Sequence, residues 1–300
     1  MIVQQLREQK GFSPIEQSIA NYFLEAGEGL REQSARSIAS KLYTAPSTVS
    51  RLCKHLGYAG YNDFRDDYLD ELRYLSSTLT DIDANQPFRK NDDVRTITAK
   101  IGALYRETVD DTLQLNDGDA LERAIDLVAS ARNVFVYSAG TQSYLAEDFV
   151  DKMARIGRRV IVTHKDDTSY FFSTNAQPDE VFIALSYSGE TSGALRVARQ
   201  VKAAGGTVIA LTSFGRNSLS SIADVTLHVS TREKLVEKVG CYGMSISTVL
   251  LLDVIYSCVL ALDYDQNVIT RVKATRAYEV YRDSSNPILR DRRDQQTTAL

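Results

Sequence analysis

Cysteine is scarce: three residues in 300, Cys53, Cys241 and Cys258, with no CxxC and no paired spacing. This argues against a disulfide framework or a cysteine-ligated metal and fits reduced thiols in a cytosolic protein. An excess of one charge is also lacking. Lys plus Arg number 35 and Asp plus Glu 39, a net charge of −4, so a surface for nucleic acid has to be local. The opening MIVQQLREQK has no apolar core, and no secretory leader is expected. Long apolar runs are missing apart from Ile246 to Leu262. That run contains Asp253 and is short for a membrane span, so it reads as a buried or interface helix, and no membrane partner is expected. There is no internal repeat and no low-complexity tract. What is present is an ordinary globular composition, 43% hydrophobic and 25% charged, enough apolar content for a core in each of two domains.

Ser13-Pro14-Ile15-Glu16 is a helix start: a capping hydroxyl, proline at the first helical position and a capping-box glutamate. Ile15, Ile19 and Phe23 follow on one face, and Gly27 and Gly29 stop the helix. Further helices fit Ala35 to Leu42 and Pro46 to Leu56, the latter closed by Gly57, and then Tyr61 to Leu75. Residues 76–93 are polar and lose periodicity, as a linker does. The expected organisation is a helical domain at 1–76, a linker at 77–93, an α/β domain at 94–283 and a tail at 284–300. In the second half NVFVY, RVIVTH, EVFIAL, TVIALT and DVTLHV are apolar runs rich in β-branched residues, the first four separated by helical stretches. Such alternation implies a parallel sheet covered on both faces.

On a helix starting at Pro46, Val49, Leu52, Cys53 and Leu56 share one face. Ser47, Ser50, Arg51 and Lys54 lie opposite, a hydroxyl-rich basic stripe suited to a major groove. From Gln33 to Asn62 the basic residues Arg36, Lys41, Arg51 and Lys54 have no acidic companion, as phosphate contact requires. An ordinary three-helix domain with a solvated polar face would show part of the same pattern. The stretch SARSIASKLYTAPSTVSRLCKHLGYAGYNDFRDDY resembles the N-terminal domain of RpiR-type regulators. Thr48, Val49, Arg51, Leu56, Gly57, Tyr58, Gly60, Tyr61 and Phe64 carry the likeness; Ala45 stands where that family usually has a capping serine. The resemblance implies a helix-turn-helix that binds operator DNA, with Ser47, Thr48, Ser50, Arg51, Lys54, Arg36 and Lys41 as contacts.

Two strand-to-helix loops are rich in hydroxyls and glycine. They are Ser138-Ala139-Gly140-Thr141-Gln142-Ser143 after the first strand and Ser186-Tyr187-Ser188-Gly189-Glu190-Thr191 after the third. Free N–H groups, a helix dipole and hydroxyls make an anion site without Lys or Arg. A single such loop would read equally well as a capped turn; two on neighbouring strands favour a phosphate site. From about Leu121 to Leu262 the chain resembles the sugar isomerase (SIS) domain, whose Ser-x-Ser-Gly-x-Thr loop is complete at 186–191. That implies a five-stranded parallel sheet in flavodoxin-like order with helices on both faces. It also implies a phosphosugar held by Ser186, Ser188, Gly189 and Thr191, with Thr141, Gln142 and Ser143 assisting. The first loop departs from the family's usual Gly-x-Gly-x-Ser: Ser138 replaces the first glycine and Gln142 the serine.

Isomerisation needs an acid–base pair near the sugar. His55, His164 and His228, with Glu190, Glu233 and Glu237, form no pattern that specifies one. The expectation is therefore a cytoplasmic transcription regulator, without catalytic residues, metal or cofactor, that binds a phosphorylated sugar and controls carbohydrate or amino-sugar genes. The rival is an aldose–ketose isomerase with an accessory N-terminal domain. A homodimer or homotetramer would place two recognition helices on one operator. Its contacts would come from helices flanking the sheet, including Leu250, Leu251, Val254 and Ile255.

Overall fold

Apolar spacing and caps dictate a helical first segment. The computed structural model describes residues 2–77, 82–116, 118–140, 142–163, 165–279, 284–286 and 288. Within them lie α1 (Ile2–Glu8), α2 (Pro14–Ala26), a 3-10 helix (Gly27–Glu32), α3 (Ala35–Lys41), α4 (Pro46–His55), α5 (Tyr61–Ser77) and α6 (Val94–Leu115). The capping box at the head of α2 forms as its sequence requires: the Glu16 carboxylate accepts from the Ser13 N–H (2.9 Å) and hydroxyl (2.7 Å). Those bonds hold the Glu16 carboxyl below its usual range. Gly27 ends α2 at positive φ, and the chain continues as the 3-10 helix. Leu6, Ile19, Phe23, Leu30, Ile38, Val49, Leu52, Phe64 and Tyr68 form one buried core. Phe23 stacks on Phe64 at 4.8 Å, and the Tyr68 hydroxyl donates to the Phe23 carbonyl. Cys53 is buried in this core, which pushes its thiol up to about 12; Cys241 and Cys258 are half-buried and free.

The remaining elements are α7 (Asp119–Ser130), β1 (Asn133–Tyr137), α8 (Gln142–Arg155), β2 (Val160–Thr163), α9 (Asp166–Thr174), β3 (Glu180–Leu185), α10 (Ser192–Ala203), β4 (Thr207–Ser213), β5 (Val225–Val229), α11 (Tyr242–Leu262) and α12 (Tyr264–Tyr278). The strands form a five-stranded parallel sheet in the order β2-β1-β3-β4-β5, flanked by helices, as the resemblance to the SIS domain implies. β3 is buried along its whole length, which explains why it reads as a continuous apolar run rather than an alternating one. By length and composition α11 could cross a membrane. Within this chain Leu251, Leu252, Ile255 and Val259 are buried, and Asp253 pairs with Lys152 of α8 at 2.5 Å. Leu251 and Ile255, expected at a subunit interface, are therefore spent on this chain's own core, while Leu250 and Val254 stay half-buried.

The chain divides into two compact units. One holds the residues up to Leu115 with Ser213–Asn217 and Ser230–Met244; the other holds Asn116–Thr212, Ser218–Val229 and the residues from Ser245. In the first unit residues 82–93 carry no helix or strand. Asn85 ties this loop down: it accepts from the Lys234 N–H at 2.7 Å, and its carbonyl accepts from the Val239 N–H at 3.0 Å.

Candidate functional site

The first unit presents a helix-turn-helix. Pro46 sits at the first position of α4, and Ala45 supplies no side-chain cap. Val49, Leu52 and Cys53 anchor the helix inward. Ser47, Arg51 and Lys54 are exposed, whereas Thr48 and Ser50 are half-buried. Arg36 is exposed on α3. Lys41 is partly engaged at home: its ammonium donates to the Tyr22 hydroxyl (2.9 Å) and to Gln33 Oε1 (3.1 Å). Of the seven residues expected to contact DNA, five lie on α4 and two on α3. Tyr43, exposed in the turn between these helices, lies outside the helical spacing that marks the other seven.

The second unit holds the two loops. β1 and β3 are parallel neighbours, with Tyr137 opposite Ala184, so residues 138–143 and 186–191 leave adjacent strands at the same end. The strand order reverses here: β1 leads outward to β2 on one side, while β3 lies on its other side. A ligand of an open α/β sheet binds at this switch point. Gly140 and Gly189 have φ of 63° and 68°, left-handed turns that glycine adopts without strain. The Ser186 hydroxyl donates to Thr191 Oγ1 at 2.8 Å, and Ser188 Oγ accepts from the Glu190 N–H at 3.1 Å. The Ser138 hydroxyl donates to Ser143 Oγ at 3.3 Å. Gln142 is buried and Ser143 half-buried. Thr141, expected to assist, and His164, weighed as a base, lie outside the described residues. The Leu219 N–H donates to the Gly189 carbonyl (3.0 Å), and Glu190 Oε1 accepts from the Ser218 N–H (2.8 Å). A segment beyond β4 thus pins the 186–191 loop.

One wall of this end of the sheet was not foreseen. The Tyr137 hydroxyl donates to Asp166 Oδ1 at 2.9 Å and packs on the first turn of α10. A Cβ at Gly193 would land on that hydroxyl. Burial, then the Asp166 bond, pushes the Tyr137 phenol up to about 12.

A helix-turn-helix with an exposed basic face, joined to an α/β domain with paired hydroxyl-rich loops, is the organisation of a ligand-responsive DNA-binding regulator. The family model for the rpiR-family helix-turn-helix domain matches residues 2–73, and that for the SIS domain matches 127–259. The chain thus combines an rpiR-family helix-turn-helix domain with a SIS domain, the organisation of an RpiR-type transcriptional regulator. Similar curated proteins include the uncharacterized HTH-type transcriptional regulator YbbH of Bacillus subtilis, 27% identical over 84% of this chain and 87% of that protein. A second, from Haemophilus influenzae, is 26% identical over 86% and 89%. Among solved structures, Vibrio vulnificus NanR complexed with ManNAc-6P covers 94% of this chain and all of that one, with a TM-score of 0.61 at 21% identity. The sugar isomerase domain of an RpiR transcription factor from Sphaerobacter thermophilus covers 60% of this chain and 98% of its own, with a TM-score of 0.53 at 17% identity. These likenesses show the fold.

Proposed function

We propose that the protein reads operator DNA through α4 and releases or grips it according to a phosphorylated sugar bound at the sheet's switch point. Residues 1–76 carry the DNA contacts Ser47, Thr48, Ser50, Arg51 and Lys54, with Arg36 and Lys41 on phosphates. Residues 94–283 carry the effector site. Ser186, Ser188, Gly189 and Thr191 hold the phosphosugar's phosphate, with Thr141, Gln142 and Ser143 of the first loop assisting. The observation that carries this reading is the pair of hydroxyl- and glycine-rich loops leaving adjacent parallel strands at the switch point. NanR, of similar fold, is described with ManNAc-6P, which supports a phosphorylated amino sugar as the effector class. The protein acts in the cytoplasm as a homodimer or homotetramer and does not turn the sugar over.

The test is thermal unfolding of the full chain across a panel of sugar phosphates. A ligand of the native state at a hundred times its Kd adds about 2.7 kcal/mol of stability. Ser188→Asp sets a carboxylate against the phosphate and abolishes the shift. An equal shift in Ser188→Asp places the effector elsewhere. No shift with any sugar phosphate removes the sensor reading, and product formation moves the protein to the isomerase class.

A further inference from the structure

The turn between α3 and α4 carries a residue whose backbone and side chain disagree. α3 ends in a paired cap: the Thr44 N–H donates to the Ala39 carbonyl at 2.9 Å and the Tyr43 N–H to the Ser40 carbonyl at 3.4 Å. This closure needs a left-handed residue at the position just past the cap, where glycine is favoured. Tyr43 occupies that position with φ of 50°. A bulky side chain there crowds the following carbonyl and costs stability. Burial does not compensate, because Tyr43 is 98% exposed. The comparison with Gln9 is direct. Gln9 also has a positive φ (49°), but its amide donates to Asn21 Oδ1 at 2.6 Å, a return within the fold. The return on Tyr43 has to come from outside the chain.

The surroundings say what the outside partner is. Tyr43 stands two residues beyond Lys41 and three before Pro46, between exposed Arg36 on α3 and exposed Ser47, Arg51 and Lys54 on α4. No acidic residue occurs from Gln33 to Asn62. In a helix-turn-helix the first helix crosses the DNA backbone while the second enters the groove, so the turn between them faces the phosphates. Tyrosine hydroxyls are among the groups that donate to phosphate oxygens.

We infer that Tyr43 is a DNA-backbone contact, a neutral hydroxyl donor to a phosphate that sets the register of α4 on the duplex. The inference rests on the DNA-binding assignment but is tested separately from the individual base contacts. The probe is a short duplex selected by the full-length wild type from a random-sequence pool, assayed over a range of salt. Tyr43→Phe removes only the hydroxyl, and its affinity falls about tenfold, the scale of a hydrogen bond to a charged group. The slope of log affinity against log salt stays that of the wild type, because no cation is lost. Tyr43→Gly binds at least as weakly, yet its unfolding midpoint is unchanged or higher, because the strain is relieved. Wild-type affinity in Tyr43→Phe overturns the inference, whatever Tyr43→Gly does. A midpoint several degrees lower in Tyr43→Gly overturns it too, since the ring would then support the fold. A change of particle mass in Tyr43→Gly by light scattering overturns it in favour of contact between copies. Failure of the wild type to select any duplex removes the DNA-binding assignment itself, a result distinct from all of these.

Discussion

Gly193 shows how the absence of one side chain shapes the carboxyl end of the sheet. It has no Cβ because the Tyr137 hydroxyl already fills that space on its way to Asp166. Gly193→Ala forces a buried ring, 4% exposed, off its partner. Overpacking of this kind costs about 1–3 kcal/mol. The expected outcome is a lower unfolding midpoint and weaker sugar-phosphate binding, both partly restored when Tyr137→Phe is added. No effect of Gly193→Ala on either would contradict the geometry. Nothing in the sequence announces this contact, since the two residues stand 56 positions apart and meet only when β1 and α10 are in place. Tyr43 was hidden for a related reason: its exposure and its φ are properties of the folded turn. By contrast Ser47, Arg51 and Lys54 were legible, because helical spacing alone puts them opposite Val49, Leu52 and Cys53.

Among the helices, α2 was legible because its cap lies within the segment itself. The Ser13–Glu16 box also gives it a pH signature. The Glu16 carboxyl titrates below its usual value because Ser13 donates to it. Its contribution is therefore complete above the ordinary carboxylate range and is lost as pH falls through the depressed folded value. Glu16→Gln is expected to lower stability near neutral pH by about 0.3–1 kcal/mol, the scale of a charge at a helix N-terminus. The gap from wild type should close in acid. A gap that stays constant from pH 7 down to about pH 3 would show that the Glu16 charge is not involved. α1 escaped notice because its cap comes from far away: the Glu71 carboxylate accepts from the Ile2 and Val3 N–H groups at 2.6 and 2.9 Å. α9 and α12 lack a strong apolar stripe. α12 buries no residue at all, so neither leaves a clear period in the sequence.

At the scale of the molecule, the parallel sheet was legible in the strand runs, its order only through the likeness to the SIS domain, and the partition of the chain was not. Five β-branched runs alternating with helices lead to a parallel sheet, and the two hydroxyl-rich loops mark the carboxyl end of its neighbouring strands β1 and β3. The first unit also takes in Ser213–Asn217 and Ser230–Met244, through pairings that sequence distance conceals. In that unit Arg216 reaches Asp63 at 3.0 and 3.1 Å and Asp67 at 3.1 Å. The Ser230 hydroxyl donates to Asp111 at 2.5 Å, and Arg232 pairs with Glu107 at 2.9 Å.

A regulator of this kind must translate effector binding into a change in DNA affinity, and the two affinities are linked by one coupling free energy, typically about 1–3 kcal/mol. The most direct measurement titrates the full-length protein, bound to its selected duplex, with the sugar phosphate that stabilises it best. The expected result is a change in duplex affinity of about 5–150-fold, with the same factor appearing when sugar-phosphate affinity is measured with and without the duplex. Identical duplex affinity at zero and saturating sugar phosphate would contradict the assignment of this protein as a phosphosugar-controlled regulator.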